Sequence, residues 1–262
     1  MRAIYDELAR IHAEGGAAAV CTVIGTQGST PGKATMKLLI KANGTGIGSV
    51  GGGCVEAEVF SRAKDVMATE RSQRFSVDLN EHDNPETGLV CGGRIELFIE
   101  PVVVPNVYVF GAGHVARALV EAAQPAGFRF TVIDDRAEYA TTERFPKAAA
   151  VQAQPWEAAI AALSIDADAF VAIMTRGHKD DLAVLRALAA HAVTPRYLGM
   201  IGSKSKWITL AKALRDEGVS EEFLKRVKTP IGLDIGARSA EEIAISIAAE
   251  FVAMRRVAPA GG

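Results

Sequence analysis

The run Val107 to Phe110 leads directly into Gly111-Ala112-Gly113-His114-Val115-Ala116, after which apolar residues recur at helical spacing. A strand, a G-x-G-x-x-A turn and a helix in immediate succession make the dinucleotide-binding fingerprint. Its first glycine allows the tight turn, its second lets backbone approach a phosphate, and its small last residue lets the helix pack against the strand. The feature commits the chain around it to a βαβ unit. The next strand, Arg129 to Ile133, ends in Asp134-Asp135-Arg136. Asp134 stands about 20 residues beyond the fingerprint, where such folds place an acid for ribose hydroxyls.

Three further units repeat the alternation. Strands are expected at Ala148–Val151, Ala169–Met174 and Tyr197–Met200, with helices at Trp156–Leu163, Asp181–Ala190 and Lys204–Arg215. Alternating strands and helices with short connections give a right-handed, doubly wound parallel sheet. With strand order 3-2-1-4-5, the switch point falls between the strands ending at Phe110 and Met174, and ligands bind at such points. The loops at the strands' carboxyl ends carry Thr175-Arg176-Gly177-His178-Lys179-Asp180-Asp181 and Gly199-Met200-Ile201-Gly202-Ser203-Lys204. Cationic side chains and helix N-termini there suit phosphate. Gly111, Gly113, His114, Asp134, Thr175, Arg176, His178, Ser203 and Lys204 are therefore the candidate cofactor-binding residues of this half. His178 with two acids is thin for a metal site, and Asp180 or Asp181 as a helix N-cap explains the acids more simply. Ser203 is a candidate N-cap, and Ser239 with Glu242 forms a capping box. Before that box, Pro230-Ile-Gly-Leu-Asp-Ile-Gly-Ala237 is too apolar for a solvated linker and is expected to pack near a site or an interface.

The first half has a different grain. An amphipathic helix with Ile4, Leu8 and Ile11 stops at Gly15-Gly16, and strands follow at Ala17–Gly25 and Met36–Ala42 with a hairpin turn at Asn43-Gly44. Gly51-Gly52-Gly53 then leads into Cys54, and Val55, Val59, Ala63 and Val66 mark one face of a helix. A cysteine at a helix N-terminus sits where the dipole favours a thiolate, and the glycines permit close backbone approach to a ligand. The competing reading is a cysteine packed as a small hydrophobe beside a turn. Gly88 to Gly93 holds a second glycine-flanked cysteine, Cys91, and two such cysteines in one small domain suggest a shared site. Glu56 and Glu58 are expected to decorate the first helical turns, with Arg62 four residues after Glu58. Thr26 to Lys33 is a turn whose hydroxyl and amide donors also suit an oxyanion. Cys21 reads as core. Strands at Arg74–Leu79 and Arg94–Val104 complete the half, and Pro101 to Pro105 reads as a linker.

The class is therefore α/β: a small N-terminal α+β domain over residues 1–103, then a Rossmann-like doubly wound parallel sheet over residues 104–262. Basic and acidic residues number 29 and 31, a net charge of −2, which gives no case for nucleic acid as a partner. No apolar run reaches the roughly 18 residues of a membrane span. The N-terminus shows no signal-peptide pattern, and three cysteines argue against structural disulfides, so a cytoplasmic protein is expected.

Taken together, Gly-Ser-Thr-Pro (28–31), Gly-Gly-Gly-Cys-Val-Glu-Ala-Glu (51–58), Cys-Gly-Gly (91–93), Phe-Gly-Ala-Gly-His-Val (110–115) and Val-Ile-Asp-Asp-Arg (132–136) resemble the XdhC/CoxI family, as do Thr175–Asp181, Gly199–Lys204 and Pro230–Ala237. The resemblance covers nearly the whole chain. Many relatives carry an arginine after the proline, where Gly32 and then Lys33 stand here. The resemblance implies an accessory protein of xanthine dehydrogenase and related molybdenum hydroxylases, a maturation factor rather than a free-standing catalyst. It would bind the molybdenum cofactor (molybdopterin), protect or help sulfurate it, and deliver it to the apo-enzyme. Cys54 and Cys91 would be its reactive residues, Gly51, Gly52 and Gly53 would take the cofactor, and Cys54 would be a soft ligand for the metal. Implied partners are the hydroxylase, a cysteine desulfurase, a cofactor-synthesis protein and a second copy in a homodimer. The rival readings are an NAD(P)-dependent oxidoreductase, with His114 and His178 as its best acid–base candidates, and an NAD-sensing regulatory module.

Overall fold

The computed structural model describes residues 1–79, 92–190 and 194–256. They form two compact units, Met1–Val104 with Arg256, and Pro105–Arg255.

The first unit holds α1 (Arg2–Glu14), β1 (Gly16–Gln27), β2 (Lys37–Lys41), β3 (Gly46–Gly48), α2 (Gly53–Thr69), β4 (Gln73–Asp78) and β5 (Arg94–Val104). Its sheet runs β3-β2-β1-β5-β4, with every neighbouring pair antiparallel. Successive strand residues point to opposite faces, and here both faces are covered. Ala18, Val20 and Leu39 meet Ile4 and Ile11 of α1. Ala19, Cys21, Val23, Leu38 and Ile40 meet Val55, Val59, Ala63 and Val66 of α2. That double burial is why β1 reads as an unbroken apolar run. The expected linker at Pro101 to Pro105 is corrected by this sheet, because Pro101 lies within β5 opposite Ala19. β4 accompanies β5 only as far as Ile99. The missing N–H of Pro101 therefore falls where the strand is paired on one side, the position in which a sheet tolerates proline.

The second unit holds β6 (Asn106–Phe110), α3 (His114–Ala123), β7 (Arg129–Asp134), β8 (Ala150–Ala153), α4 (Trp156–Ala162), β9 (Phe170–Ile173), α5 (His178–Ala189), β10 (Tyr197–Met200), α6 (Lys204–Asp216), α7 (Glu221–Arg226), β11 (Val227–Lys228) and α8 (Ala240–Arg256). The sheet order is β11-β10-β9-β6-β7-β8, all parallel. Its first five strands in chain order follow 3-2-1-4-5, and β11 extends it. Two residues following a short helix carry no periodic signal, so β11 escapes a reading of the sequence. Val107, Val109, Phe130, Val132, Phe170 and Ala172 face α3 and α8, while Tyr108, Phe110, Ile133, Val171 and Ile173 face α4 to α6. α3, which leaves β6, and α5, which leaves β9, thus lie on opposite faces. A topological switch point opens between the carboxyl ends of β6 and β9.

α8 closes one face through an aromatic cluster in which Phe251 meets Phe170 and Tyr197 at 5.2 Å each and Phe128 at 5.7 Å. It also anchors the segment after β11. The buried Glu250 carboxylate accepts from the Tyr197 hydroxyl and, at 2.7 Å, from Gly232 N, and it pairs with Lys228. Leu233 N donates to Ser246 O at 3.2 Å. The base of this loop packs on α8, while Leu233 and Ile235 at its tip are exposed. No helix among the described residues is long and apolar enough to cross a membrane.

Candidate functional site

In the first unit, three glycine-rich segments far apart in sequence are brought into backbone contact. Gly51, Gly52 and Gly53 take φ of 131°, 74° and 54°, a left-handed run that favours glycine. A Cβ on Gly51 would lie 2.9 Å from Gly32 N, and one on Gly32 would strike the carbonyl oxygen of Val50. A Cβ on Gly93 would lie 2.7 Å from Gln27 O. The 28–33 turn is thus packed between the 50–53 and 92–93 segments, and the glycines serve loop-on-loop approach. β4 is continued by the same contact, with Leu79 N donating to Gly93 O at 2.8 Å.

Cys54 is the second residue of α2, partly buried and packed against the core that lies between α2 and the sheet. The N-cap, Gly52, supplies no side chain to the first amides of the helix. Glu56 ties the glycine run down from the following turn. Its Oε1 accepts from Ser49 Oγ at 2.7 Å and from Gly52 N at 3.1 Å, binding that run to the helix. Glu56 is therefore a loop tie, where the sequence suggests only a surface acid. Glu58 does form its expected pair, with Arg62 Nε at 2.6 Å, and Arg62 lies over the Phe75 ring. In the 28–33 turn the Thr30 hydroxyl points inward and donates to Gly32 O at 2.8 Å, whereas the Lys33 side chain is exposed. Cys21 is fully buried, and that burial pushes its thiol up to about 12, in keeping with a core role. Cys91 lies outside the described residues.

In the second unit the fingerprint loop is fixed from both sides. Gly111 has φ 115°, and a Cβ there would collide with the carbonyl oxygen of Met174 at the end of β9. Gly113 is the N-cap of α3, has no side-chain cap, and a Cβ on it would meet nothing within 4 Å. The turn thus divides the roles the fingerprint predicts: close packing at the first glycine, an open approach at the second. Asp134, expected to face a ribose, instead turns under this loop. It is 1% exposed; Oδ2 accepts from Ala112 N at 2.7 Å, and Oδ1 accepts from Arg136 N at 3.0 Å and Arg136 Nε at 2.9 Å. Burial alone would raise the Asp134 carboxyl, but the Arg136 guanidinium and the two amides outweigh it and hold it below its usual range. Arg136 lies over the Tyr139 ring at 3.8 Å, and Arg144, also near that ring, donates to Ala112 O at 3.3 Å. His114 is exposed on the first turn of α3 and lines a groove of about 560 Å³ between α3 and α8, with Arg117, Glu121, Glu241 and Ile245.

The loop after β9 is ordered by its acids. α5 begins at His178, three residues earlier than the spacing suggests, and its N-cap is Gly177. Asp180 and Asp181 are therefore first-turn residues and neither is the N-cap, which corrects that expectation. Asp180 pairs with Arg176 Nε at 2.9 Å and accepts from Trp156 Nε1 at 3.3 Å. Asp181 is fully buried, accepts from Thr175 Oγ1 at 2.7 Å and pairs with Lys206 of α6. Thr175 is thus turned toward Asp181, and His178 and Lys204 are exposed. Ser203 caps α6 by accepting from Lys206 N at 3.2 Å. Lys206, not Lys204, is the α6 lysine that pairs with an acid of the β9 loop. No pattern in the sequence separates the two; in the fold Lys206 lies over Gly202, where a Cβ would be 2.9 Å from Lys206 Cδ. Among the described residues no three His, Cys, Asp or Glu side chains converge as a metal-ligand set.

Residues 107–251 match the family model of the XdhC Rossmann domain, and residues 11–78 match that of the XdhC and CoxI family. The uncharacterized protein YqeB of Escherichia coli K12 is 32% identical over 98% of this chain and 47% of its own length. The chain therefore spans about half of that relative. A probable xanthine dehydrogenase subunit of Bacillus subtilis is 23% identical over 91% of this chain and 93% of its own. The molybdenum cofactor insertion chaperone PaoD of Escherichia coli is 22% identical over 92% and 84%.

Proposed function

We propose that this chain, which belongs to the XdhC and CoxI family, is a maturation factor that binds the molybdenum cofactor, protects or helps sulfurate it, and hands it to a molybdenum hydroxylase such as xanthine dehydrogenase. The names of two relatives matched along most of their length, one a cofactor insertion chaperone and the other part of a probable xanthine dehydrogenase, support the reading. One structural observation carries it: the glycine run that opens the Cys54 helix packs on the 28–33 turn, and that turn packs in its own right on the 92–93 segment. A partly buried thiol at a helix N-terminus is a soft sulfur donor suited to a molybdenum–sulfur cargo. Gly51 to Gly53 would let the cargo approach backbone, Cys54 would face its metal, and Cys91 would join it. In the second unit the open Gly113 and uncapped start of α3, with Arg176 nearby in the crevice, suit a phosphate-bearing ligand. That ligand is the phosphate end of a pterin or dinucleotide, or an NAD(P) that the unit senses. In this reading the partners are the hydroxylase, a cysteine desulfurase and a cofactor-synthesis protein, and the protein works in the cytoplasm as a homodimer.

The test is anaerobic incubation of the purified protein with molybdenum cofactor, followed by gel filtration and measurement of retained pterin fluorescence. Near-stoichiometric retention that falls at least about tenfold in Cys54→Ala, with an unchanged melting temperature, is the expected result. Retention untouched by the substitution removes Cys54 from the site. Retention of NAD(P) with no pterin makes the sensing module the better reading.

A further inference from the structure

The crevice over the fingerprint contains an ion pair whose placement bears on what the second unit binds. Asp135 follows β7 and Arg176 follows β9, the two strands that flank β6. Neighbouring strands lie about 4.8 Å apart, so these two ends are separated by close to 10 Å. Even so, Arg176 Nη1 and Nη2 donate to Asp135 Oδ1 and Oδ2 at 3.1 and 2.8 Å. The bidentate pair bridges the strands on either side of β6, at the edge where Gly111 to Gly113 turns into α3. Arg176 Nε is held by Asp180 at 2.9 Å, so carboxylates occupy the whole fork. Asp134, meanwhile, is committed to Ala112 and Arg136 and offers a ribose nothing.

We propose that Asp135 is a resident stand-in for a ligand phosphate: it occupies the Arg176 fork until a phosphate or pyrophosphate group displaces it. This rests on the reading that the second unit takes a phosphate-bearing ligand. A guanidinium fork accepts carboxylate and phosphate oxygens in the same two-point geometry, so the exchange needs no rebuilding of the loop. A phosphate group carries more charge than a carboxylate and can also meet the uncapped amides of α3. The displaced Asp135 has a second cation at hand, since Arg136 Nε is 3.9 Å from its Oδ1. The crevice therefore selects for phosphate and not for ribose hydroxyls, and Asp135 sets its affinity.

The experiment is equilibrium binding of inorganic pyrophosphate and of NADP to the full chain, in four proteins beside the parent: Asp135→Asn, Arg176→Gln, the double variant, and Glu138→Gln as a control for removing a nearby exposed acid. Asp135→Asn should tighten binding about two- to fivefold, the range in which exposed ion pairs contribute. Arg176→Gln should weaken it about tenfold, as loss of a charge-assisted fork does. In the Arg176→Gln background, Asp135→Asn should change nothing, because the competition has lost its object. A gain that survives there, or that Glu138→Gln reproduces, is a field effect and overturns the stand-in while leaving the phosphate reading intact. If neither the parent nor Asp135→Asn binds either probe, the phosphate reading fails and takes this proposal with it.

Discussion

Replacing Asp134 separates two roles that one acid could have in this fold. Four hydrogen bonds end on its carboxylate, from Ala112 N and from Arg136 N, Nε and Nη2, at 2.7 to 3.0 Å. Asp134→Ala leaves the Ala112 amide and a three-quarters-buried guanidinium without their acceptor. Breaking a buried, hydrogen-bonded pair from one side costs about 3–5 kcal/mol. In a unit of this size each kcal/mol moves the melting temperature by about 2–4 °C, so a fall of roughly 10 °C is expected. Asp134→Asn keeps one acceptor oxygen and should lose about half as much. The effect also has a signature in pH. The folded carboxyl is held below its ordinary value, so its contribution is complete above the unfolded value of about 3.9 and disappears as pH falls through the folded one. The gap between parent and Asp134→Ala melts should be constant from about pH 8 to 5 and shrink below about pH 4. Calorimetric melts at several pH values, paired with nucleotide binding, decide the matter. A variant that melts like the parent but no longer binds nucleotide would show that the carboxylate serves a ligand and does not hold the fingerprint loop.

The two glycines of the fingerprint should respond oppositely. Gly111→Ala combines φ 115° with a collision at Met174 O and should cost at least about 2 kcal/mol, whereas Gly113→Ala, with open space and φ −79°, should stay within about 1 kcal/mol in melts yet weaken any ligand that approaches its backbone. Phe251→Ala removes a fully buried ring that meets three other aromatics and should cost about 3–5 kcal/mol by chemical denaturation; a loss under about 1 kcal/mol would mean the cluster is not the core it resembles. Glu56→Ala should release the 49–52 segment, read as faster proteolysis there with α2 retained by circular dichroism, and unchanged cleavage would deny its part as a tie.

Local patterns are enough to place most of this fold. The fingerprint, the alternation of strands with helices and the burial of both strand faces lead to a 3-2-1-4-5 parallel order, because chirality and short connections leave few other arrangements. The helix carrying Cys54 and the capping box of α8 follow from spacing alone. What spacing does not contain is which partner a polar side chain finds across the fold. Asp134 stands where a ribose acid stands, and only the approach of Ala112 and Arg136 shows it spent on the loop. Lys206 and Lys204 are alike in sequence, and only the packing of α6 beside α5 gives one of them Asp181. Glu56 resembles a surface acid until the glycine run folds back on it. Backbone periodicity is set by neighbours along the chain and is written locally. The pairing of charges is set by distances of a few ångströms between segments tens of residues apart, and those distances exist only once the chain has folded.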